Sequence, residues 1–272
     1  FGYFYSCMRA ILARLDFLSS DNVYYVHMEI IKLYKNLGET PLECLHRFKA
    51  EHPEYTETKM TYLGRLDPMA EGLLLVLAGN TRDKEKYLSL DKTYEFEVLW
   101  GFESDTYDIL GKVSTGKYPH KLEEKMAGVL KNIRTKKTQE YPAYSSRTVS
   151  GKSLFMWSRE NKIEEIDIPK RSIKIFSIEH IHIRAITGRE ILKEVSEKIA
   201  KVSGDFRQKE ILNIWQNELY ARQKEFFLIS KFTADVSSGT YIRGLAHEMG
   251  KILKTGALAW SIKRTRVGEY KI

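Results

Sequence analysis

One carboxylate in this chain stands where it could do covalent or acid–base chemistry. Asp67 lies in the segment Gly64-Arg-Leu-Asp-Pro-Met-Ala-Glu-Gly72, just before the apolar run 73–78. An acid held at the edge of a buried strand is placed to act as a nucleophile or a base. An aspartate before a proline also shapes turns, and this segment alone favours the turn.

Two distant segments carry residues that could serve the same chemistry. Asp91-Lys-Thr-Tyr94 puts a tyrosine on a strand of period two, and Ser237-Ser-Gly-Thr-Tyr-Ile-Arg243 puts an arginine at the start of a helix. Taken alone, Tyr94 is typical of a core aromatic residue. Arg243 gains nothing from the dipole of a helix that it begins, so a carboxylate partner explains it better than a surface ion pair.

Together these segments resemble those of the TruB family of pseudouridine synthases, which make pseudouridine-55 in tRNA. Residues 141–152 resemble the RNA-gripping thumb loop of that family, and residues 262–268 resemble the final strand of its catalytic core. The resemblance runs from about residue 29 to the C-terminus. It implies that Asp67 is the catalytic aspartate, Tyr94 the base-stacking tyrosine and Arg243 the partner of the aspartate.

The implied chemistry accounts for these residue types. Isomerising uridine breaks the bond from N1 to the sugar, rotates the uracil and rejoins it through C5. A carboxylate can act on the sugar without a cofactor, and a nearby guanidinium keeps that carboxylate ionised. A uridine in a folded loop must flip out and stack on an aromatic ring, a role for Tyr94, whose hydroxyl could also shuttle a proton. The resemblance therefore implies an enzyme with no cofactor and no metal.

The resemblance also implies a set of substrate contacts. They are Lys35, Tyr62, Gly64, Arg65, Tyr144, Arg147, Lys152, Tyr241, Ile262, Lys263 and Arg264.

Three features depart from the family pattern. Tyr62 stands where the family has a histidine that helps to order the T-loop, so substrate choice could differ while the chemistry does not. Asn36 replaces a proline, and Lys35 beside it is either a substrate contact or a surface lysine. The chain ends at Ile272, soon after the core, which predicts that the small C-terminal RNA-binding PUA domain of the family is missing.

The elements that must position these residues are helices and strands without a regular strand–helix repeat, which favours an α+β fold. The resemblance implies the pseudouridine synthase fold, a mixed, mostly antiparallel central sheet flanked by helices and loops. Thr40-Pro-Leu-Glu43 predicts a capping box and a helix that buries Leu42, Leu45 and Phe48.

The chain divides into two predicted parts. Residues 1–27 form an N-terminal extension of unknown role, and residues 28–272 form the TruB-like catalytic domain. Within that domain we expect a thumb loop over about 138–162 and a helical insertion over about 187–224. The insertion is either a solvated hairpin, which its mixed charges favour, or an extra grip on tRNA.

Composition points to a polyanionic partner. The net charge is +8, from 44 basic and 36 acidic residues, which suggests RNA or DNA, although many soluble proteins are mildly basic. Basic residues that could contact phosphates are Lys131, Arg134, Lys136, Lys137, Arg147, Lys152, Lys263, Arg264 and Arg266.

Other features exclude several classes of protein. Two cysteines, Cys7 and Cys44, cannot form a disulfide framework or a four-thiolate zinc site, and Cys44 is expected to be an inert core thiol. No apolar run approaches the length of a membrane span. His180 and His182 lie on one strand without a visible third ligand, and Asp105 and Asp108 are more typical of a turn than of a carboxylate pair. We therefore expect a cytoplasmic monomer that binds neither metal nor membrane.

The sequence thus predicts a synthase that acts on uridine 55 in the T-arm stem-loop of tRNA. Two alternatives stay open: a TruB-like synthase for another RNA stem-loop, and a non-catalytic RNA-binding or RNA-folding protein on the same scaffold. The joint presence of Asp67, Tyr94 and Arg243 speaks against the second alternative.

Overall fold

The computed structural model describes residues 28–272, so the predicted N-terminal extension, residues 1–27, lies outside the described residues. In chain order the elements within that range are β1 (Met28–Lys35), α1 (Pro41–Glu51), β2 (Met60–Tyr62), β3 (Ala70–Gly79), α2 (Lys84–Leu88), β4 (Lys92–Trp100), β5 (Phe102–Ser104), β6 (Val113–Thr115), α3 (Leu122–Arg134), β7 (Thr138–Glu140), β8 (Thr148–Val149), β9 (Lys152–Ser153), α4 (Leu154–Arg159), β10 (Lys170–Ser172), β11 (Ile175–Thr187), α5 (Gly188–Ile199), α6 (Gln208–Leu219), β12 (Phe226–Val236), α7 (Ile242–Leu253), β13 (Ala257–Val267) and β14 (Tyr270–Lys271).

Eight of these strands form one sheet. Its order is β1-β3-β13-β4-β12-β11, with β2 paired to β3 and β14 to β13. The pairs are antiparallel except β3 with β13, where Ile262 lies opposite Ala70. The predicted α+β fold with a mixed, mostly antiparallel sheet is confirmed.

The central strand β4 shows why the sheet forms. Tyr94, Phe96, Val98 and Trp100 alternate along it and are buried in the core shared with α3 and α7, as an apolar period of two predicts. Helix α7 packs on β4 and on its neighbour β13. The start of α7, with Arg243, is thereby fixed over the sheet that carries Tyr94.

Helix α1 begins with the predicted capping box. The Thr40 hydroxyl accepts a hydrogen bond from the Glu43 amide over 3.2 Å, and the Glu43 carboxylate accepts one from the Thr40 amide over 2.7 Å. The prediction that Leu42 is buried is wrong, since it is 50% exposed. The buried stripe is Pro41, Cys44, Leu45 and Phe48, and a residue one step after Pro41 points about 100° away from it.

Cys44 is the expected core thiol. Its side chain is buried, and burial raises the pKa of the thiol to about 11. It is therefore protonated and unreactive near neutral pH.

The predicted thumb segment, residues 138–162, begins at a two-stranded sheet. Strands β7 and β10 pair, with Glu140 opposite Lys170, and the chain between them carries the short β8–β9 hairpin and α4. The sequence predicts a long loop with one short helix in this region. The thumb stands beside the start of α7, because the Gln139 side chain on β7 accepts from the amide of Tyr241 over 2.8 Å.

Helices α5 and α6 take the place of a turn in an antiparallel strand pair. β11 and β12 stay paired up to Thr187 and Phe226, and the two helices occupy the chain between these residues. One face of the helical hairpin is buried against the sheet and the β5–β6 region; its apolar side chains there are Ile191, Val195, Ile199, Ile211, Trp215 and Leu219. The hairpin is thus partly core, and only its outer face is solvated.

Among the helices that the structure describes, none has both the length and the apolar character needed to cross a membrane.

Candidate active site

A cavity of about 900 Å³ opens between the thumb and the sheet. Its walls come from the loop before β3, from β4, from the β5–β6 turn, from the thumb and from the start of α7. The predicted site residues that line it are Tyr62, Gly64, Arg65, Asp67, Tyr94, Tyr144, Tyr241, Arg243, Ile262 and Arg264. Segments far apart in sequence therefore meet in one cleft.

Asp67 and Arg243 form a direct ion pair across this cleft. The Nε of Arg243 donates to Oδ2 of Asp67 over 2.7 Å. The other two guanidinium nitrogens donate to the Thr106 carbonyl over 2.7 Å and to the Tyr144 carbonyl over 3.0 Å. Three elements thus fix the orientation of the guanidinium, and the carboxylate faces a donor that cannot turn away.

The charge of Arg243 is stabilised although its side chain is only 3% exposed. Burial by itself lowers the pKa of the guanidinium, but the carboxylates of Asp67 and Asp108 outweigh it and raise that pKa. Arg243 is therefore charged throughout the pH range in which RNA is stable, and it places a permanent positive charge beside Asp67.

The loop that carries Asp67 is held from beneath by Arg264. The guanidinium of Arg264 donates to the carbonyls of Leu73 over 2.7 Å and of Gly64 and Arg65 over 3.3 Å. The side chain is 1% exposed. This burial argues against the expected phosphate contact of Arg264, because its donors are used on the backbone around Asp67.

Tyr94 belongs both to the core of the sheet and to the wall of the cavity. It is buried among the core side chains of β4, and it also lines the cavity. Lys92, two residues earlier on the same strand, lines the cavity too and is buried. Burial, and then the charge of Arg264, lowers the pKa of Lys92 to about 8. Lys92 was not among the predicted site residues, although it lies in the same Lys-Thr-Tyr segment as Tyr94.

Gln139 pins the start of α7 to the base of the thumb. Its side chain accepts from the Tyr241 amide over 2.8 Å and donates to the Tyr241 carbonyl over 2.9 Å. Burial, and then the charge of Asp67, raises the pKa of the Tyr241 hydroxyl. Nothing in the sequence distinguished this glutamine, because its partner is 102 residues away.

The Asp105–Asp108 segment is a turn, as expected, but Asp108 also belongs to the cleft. Asp108 lines the cavity and is buried. Its Oδ1 accepts from the Thr106 hydroxyl over 2.7 Å and from the Leu110 amide over 3.0 Å. Burial raises the pKa of Asp108 to about 6; Arg243 opposes this effect and Asp67 adds to it. An aspartate that shapes its own turn gives no sequence signal of such a position.

Four predicted substrate contacts lie outside the cavity lining. Lys35 is fully buried, and its Nζ donates to the Asn36 carbonyl over 2.9 Å. The prediction of a surface lysine is therefore wrong. Burial lowers the pKa of Lys35 to about 8. Lys152 pairs with Glu160 at 2.5 Å. The Arg147 side chain lies over the ring of Tyr141, and the Lys263 side chain lies over the ring of Tyr34. Their contacts with substrate stay predictions.

Several other expected phosphate contacts already have protein partners. Lys136 pairs with Glu248 at 2.5 Å, and Arg266 pairs with Asp235 at 2.8 Å. Arg134 donates to the Ile178 carbonyl over 2.6 Å. Lys131 and Lys137 are exposed. Within residues 28–272, no three His, Cys, Asp or Glu side chains form a group that could hold a metal ion, and this includes His180 and His182.

Comparison with known proteins identifies the class of this fold and site. The model of the family described as "TruB family pseudouridylate synthase (N terminal domain)" matches residues 53–198, which include Asp67 and Tyr94. The tRNA pseudouridine synthase B of Aquifex aeolicus is 28% identical over 240 residues, which cover 88% of this chain and 68% of the relative. The enzyme of the same name from Mesomycoplasma hyopneumoniae is 30% identical over 214 residues, 78% of this chain and 53% of the relative.

The chain therefore belongs to the TruB family of pseudouridylate synthases. It spans between about half and two thirds of the length of these relatives. A crystal structure of a Cbf5-Nop10-Gar1 complex matches with a TM-score of 0.53 and 21% identity, over 89% of this chain and 49% of that chain, which shows a shared fold.

Proposed function

We propose that this protein isomerises uridine to pseudouridine in RNA, and that its main substrate is uridine 55 in the T-loop of tRNA. The observation that carries the proposal is the Asp67–Arg243 pair at 2.7 Å, in a cavity that Tyr94 also lines. The family match supports the reaction, and the relatives named tRNA pseudouridine synthase B support the choice of tRNA.

Each of these side chains has a role in the proposed reaction. The target nucleotide flips out of its loop into the cavity, where the ring of Tyr94 supports the uracil. Arg243 contacts Oδ2 of Asp67, so Oδ1 is the oxygen that meets the C1′ carbon of the sugar. Arg243 also places a positive charge beside the carboxylate, which acts as a nucleophile or a charge stabiliser.

The reaction is balanced without any further reagent. The bond from C1′ to N1 breaks and the bond from C1′ to C5 forms. The hydrogen on C5 leaves as a proton, and N1 ends with a proton, so substrate and product are isomers. Tyr94 lines the same cavity, and in this proposal its hydroxyl moves one of these protons.

The rim of the cleft provides positive charge for the RNA backbone. Arg65 and Arg159 are exposed there, and both line the cavity together with Arg171. Contacts from such residues to phosphates make the affinity for RNA fall as salt rises.

Pseudouridine mapping on three transcripts tests the proposal. The RNAs are an unmodified tRNA, its isolated T-arm stem-loop, and the same tRNA with cytidine in place of uridine 55. We expect product in the first two and none in the third. Product in the third transcript would show that uridine 55 is not the main target, and RNA binding without product in any transcript would favour the non-catalytic alternative.

A further inference from the structure

We propose that Arg207 is a positioning residue for the Asp67–Arg243 pair. Arg207 lies in the linker, residues 200–207, which joins α5 to α6. The inference rests on the proposed function, because part of its test is the rate of pseudouridine formation. It concerns the helical hairpin, to which the reaction itself assigns no role.

Arg207 binds two parts of the cleft at once. Its Nη1 contacts Oδ2 of Asp105 over 2.7 Å and donates to the Tyr144 hydroxyl over 2.9 Å, while Nη2 reaches Oδ1 of Asp105 over 3.4 Å. The guanidinium carbon also lies 4.4 Å from the centre of the Tyr144 ring. Since the Arg207 side chain is only 17% exposed, its bidentate ion pair with Asp105 is partly shielded from water and well oriented.

The segments that Arg207 holds are the segments that hold Arg243. Arg243 donates to the backbone carbonyls of Tyr144 and of Thr106, the residue next to Asp105. Arg207 therefore fixes the side chains of Asp105 and Tyr144. Arg243 donates to backbone carbonyls in the same two segments. Loss of Arg207 removes one tie between the thumb segment and the β5–β6 turn, so two of the three acceptors of Arg243 are held less firmly.

The same linker also braces the loop of Asp67. A side chain on Gly38 would meet the Lys201 carbonyl at 2.4 Å, and the Gly38 amide donates to the Pro68 carbonyl over 2.9 Å. The linker therefore touches both sides of the cleft, next to each partner of the ion pair.

A direct grip on RNA fits these observations less well. Arg207 lines the cavity, but both of its Nη nitrogens are engaged by Asp105 and Tyr144. Residues 188–224 carry eight basic and six acidic side chains, a near balance that does not form a phosphate-binding surface. The folding of the hairpin is supported by its buried apolar face, which includes Val195, Ile211 and Trp215, so replacing one guanidinium leaves it folded.

The test compares Arg207→Ala with Lys209→Ala, an exposed lysine two residues further on. We expect Arg207→Ala to lower kcat by about tenfold or more, with KM changed less than about twofold, and Lys209→Ala to leave both unchanged. Arg207→Lys should restore part of the rate. In an Asp105→Asn background, Arg207→Ala should cost much less, since the two side chains act as a unit.

Amide hydrogen exchange gives a readout that does not need activity. We expect Arg207→Ala, but not Lys209→Ala, to lose protection in residues 104–108 and 141–147. An unchanged kcat with unchanged protection overturns the inference, and so does a rise in KM alone, which would mean direct RNA contact. Absence of product in the wild-type enzyme counts against the proposed function, while the exchange result still decides the role of Arg207.

Discussion

The Nε of Arg243 lies 2.7 Å from Oδ2 of Asp67, yet the two side chains differ sharply in exposure, 3% against 39%. The buried arginine is fixed by the carbonyls of Thr106 and Tyr144. The more open carboxylate can therefore face a substrate without losing its partner. The difference in exposure between the two side chains suits a reactive carboxylate, which needs a rigid neighbour on one side and space for a substrate on the other.

Arg243→Lys should lower kcat by about 100-fold, because a lysine cannot serve three acceptors in a fixed plane and the carboxylate is then misplaced. We also expect a loss of about 2 kcal/mol in the free energy of unfolding, since buried carbonyls lose their donors. Single-turnover kinetics and urea denaturation measure the two effects. Arg189→Lys, on the exposed face of α5, is the control and should change neither; wild-type kinetics in Arg243→Lys contradict the fixed-donor geometry.

Tyr62 should contribute to RNA affinity through its ring. It lines the cleft and is half-buried, and stacking on a base is worth about 1–3 kcal/mol. Tyr62→Ala should therefore weaken RNA binding by about tenfold, while Tyr62→Phe, which keeps the ring, should bind like the wild type. Filter binding at fixed salt measures this, and equal weakening in both variants would show that the hydroxyl is what matters.

Replacing Gly72 or Gly128 with alanine should change the free energy of unfolding in opposite directions. Gly72 has φ +109°, and a side chain there would meet the Arg264 carbonyl at 2.3 Å, so Gly72→Ala should destabilise the protein by about 2 kcal/mol or more. Gly128 lies in α3 with open space around it, so Gly128→Ala should stabilise by about 1 kcal/mol. Urea denaturation decides, and a neutral Gly72→Ala would contradict the close β3–β13 approach.

Asp108→Asn should alter how stability depends on pH. Burial raises the pKa of Asp108 to about 6 in the folded protein, against an ordinary value of 3.8. The folded state therefore binds the proton more tightly, and the Asp108 contribution to stability falls as pH rises from about 4 to about 6. Asparagine does not titrate.

The measurement is the Tm of Asp108→Asn minus that of the wild type, from pH 4 to pH 7. We expect this difference to shift in favour of the variant as pH rises. A difference that is flat, or that shifts in favour of the wild type, contradicts a buried carboxyl with a raised pKa.

The sequence was sufficient for the elements with strong local signals. The alternation of Tyr94, Phe96 and Val98 predicted a half-buried strand, and Thr40 with Glu43 predicted a helix start. The partners in the cleft required more, because Arg243 lies 176 residues from Asp67. They were found through the resemblance of whole motifs to those of a family.

The remaining parts of the site depend on contacts that no local pattern encodes. Arg264 looks like a phosphate ligand in sequence but is buried under the loop of Asp67. Arg207 looks like a surface charge but pairs with Asp105, 102 residues away. Burial of polar side chains is decided by tertiary packing, and the charge of a residue alone does not reveal it.

The central claim is that the Asp67 carboxylate carries out the isomerisation of uridine, and one measurement tests it most directly. The enzyme is mixed in excess with tRNA labelled with tritium at C5 of its uridines, and tritium release is followed for the wild type and for Asp67→Asn. Asparagine keeps the shape and removes the charge and the nucleophile. We predict release at uridine 55 by the wild type and a fall of at least about 1,000-fold in the variant, with tRNA affinity within a few-fold. Release by Asp67→Asn at a rate near that of the wild type would contradict the account.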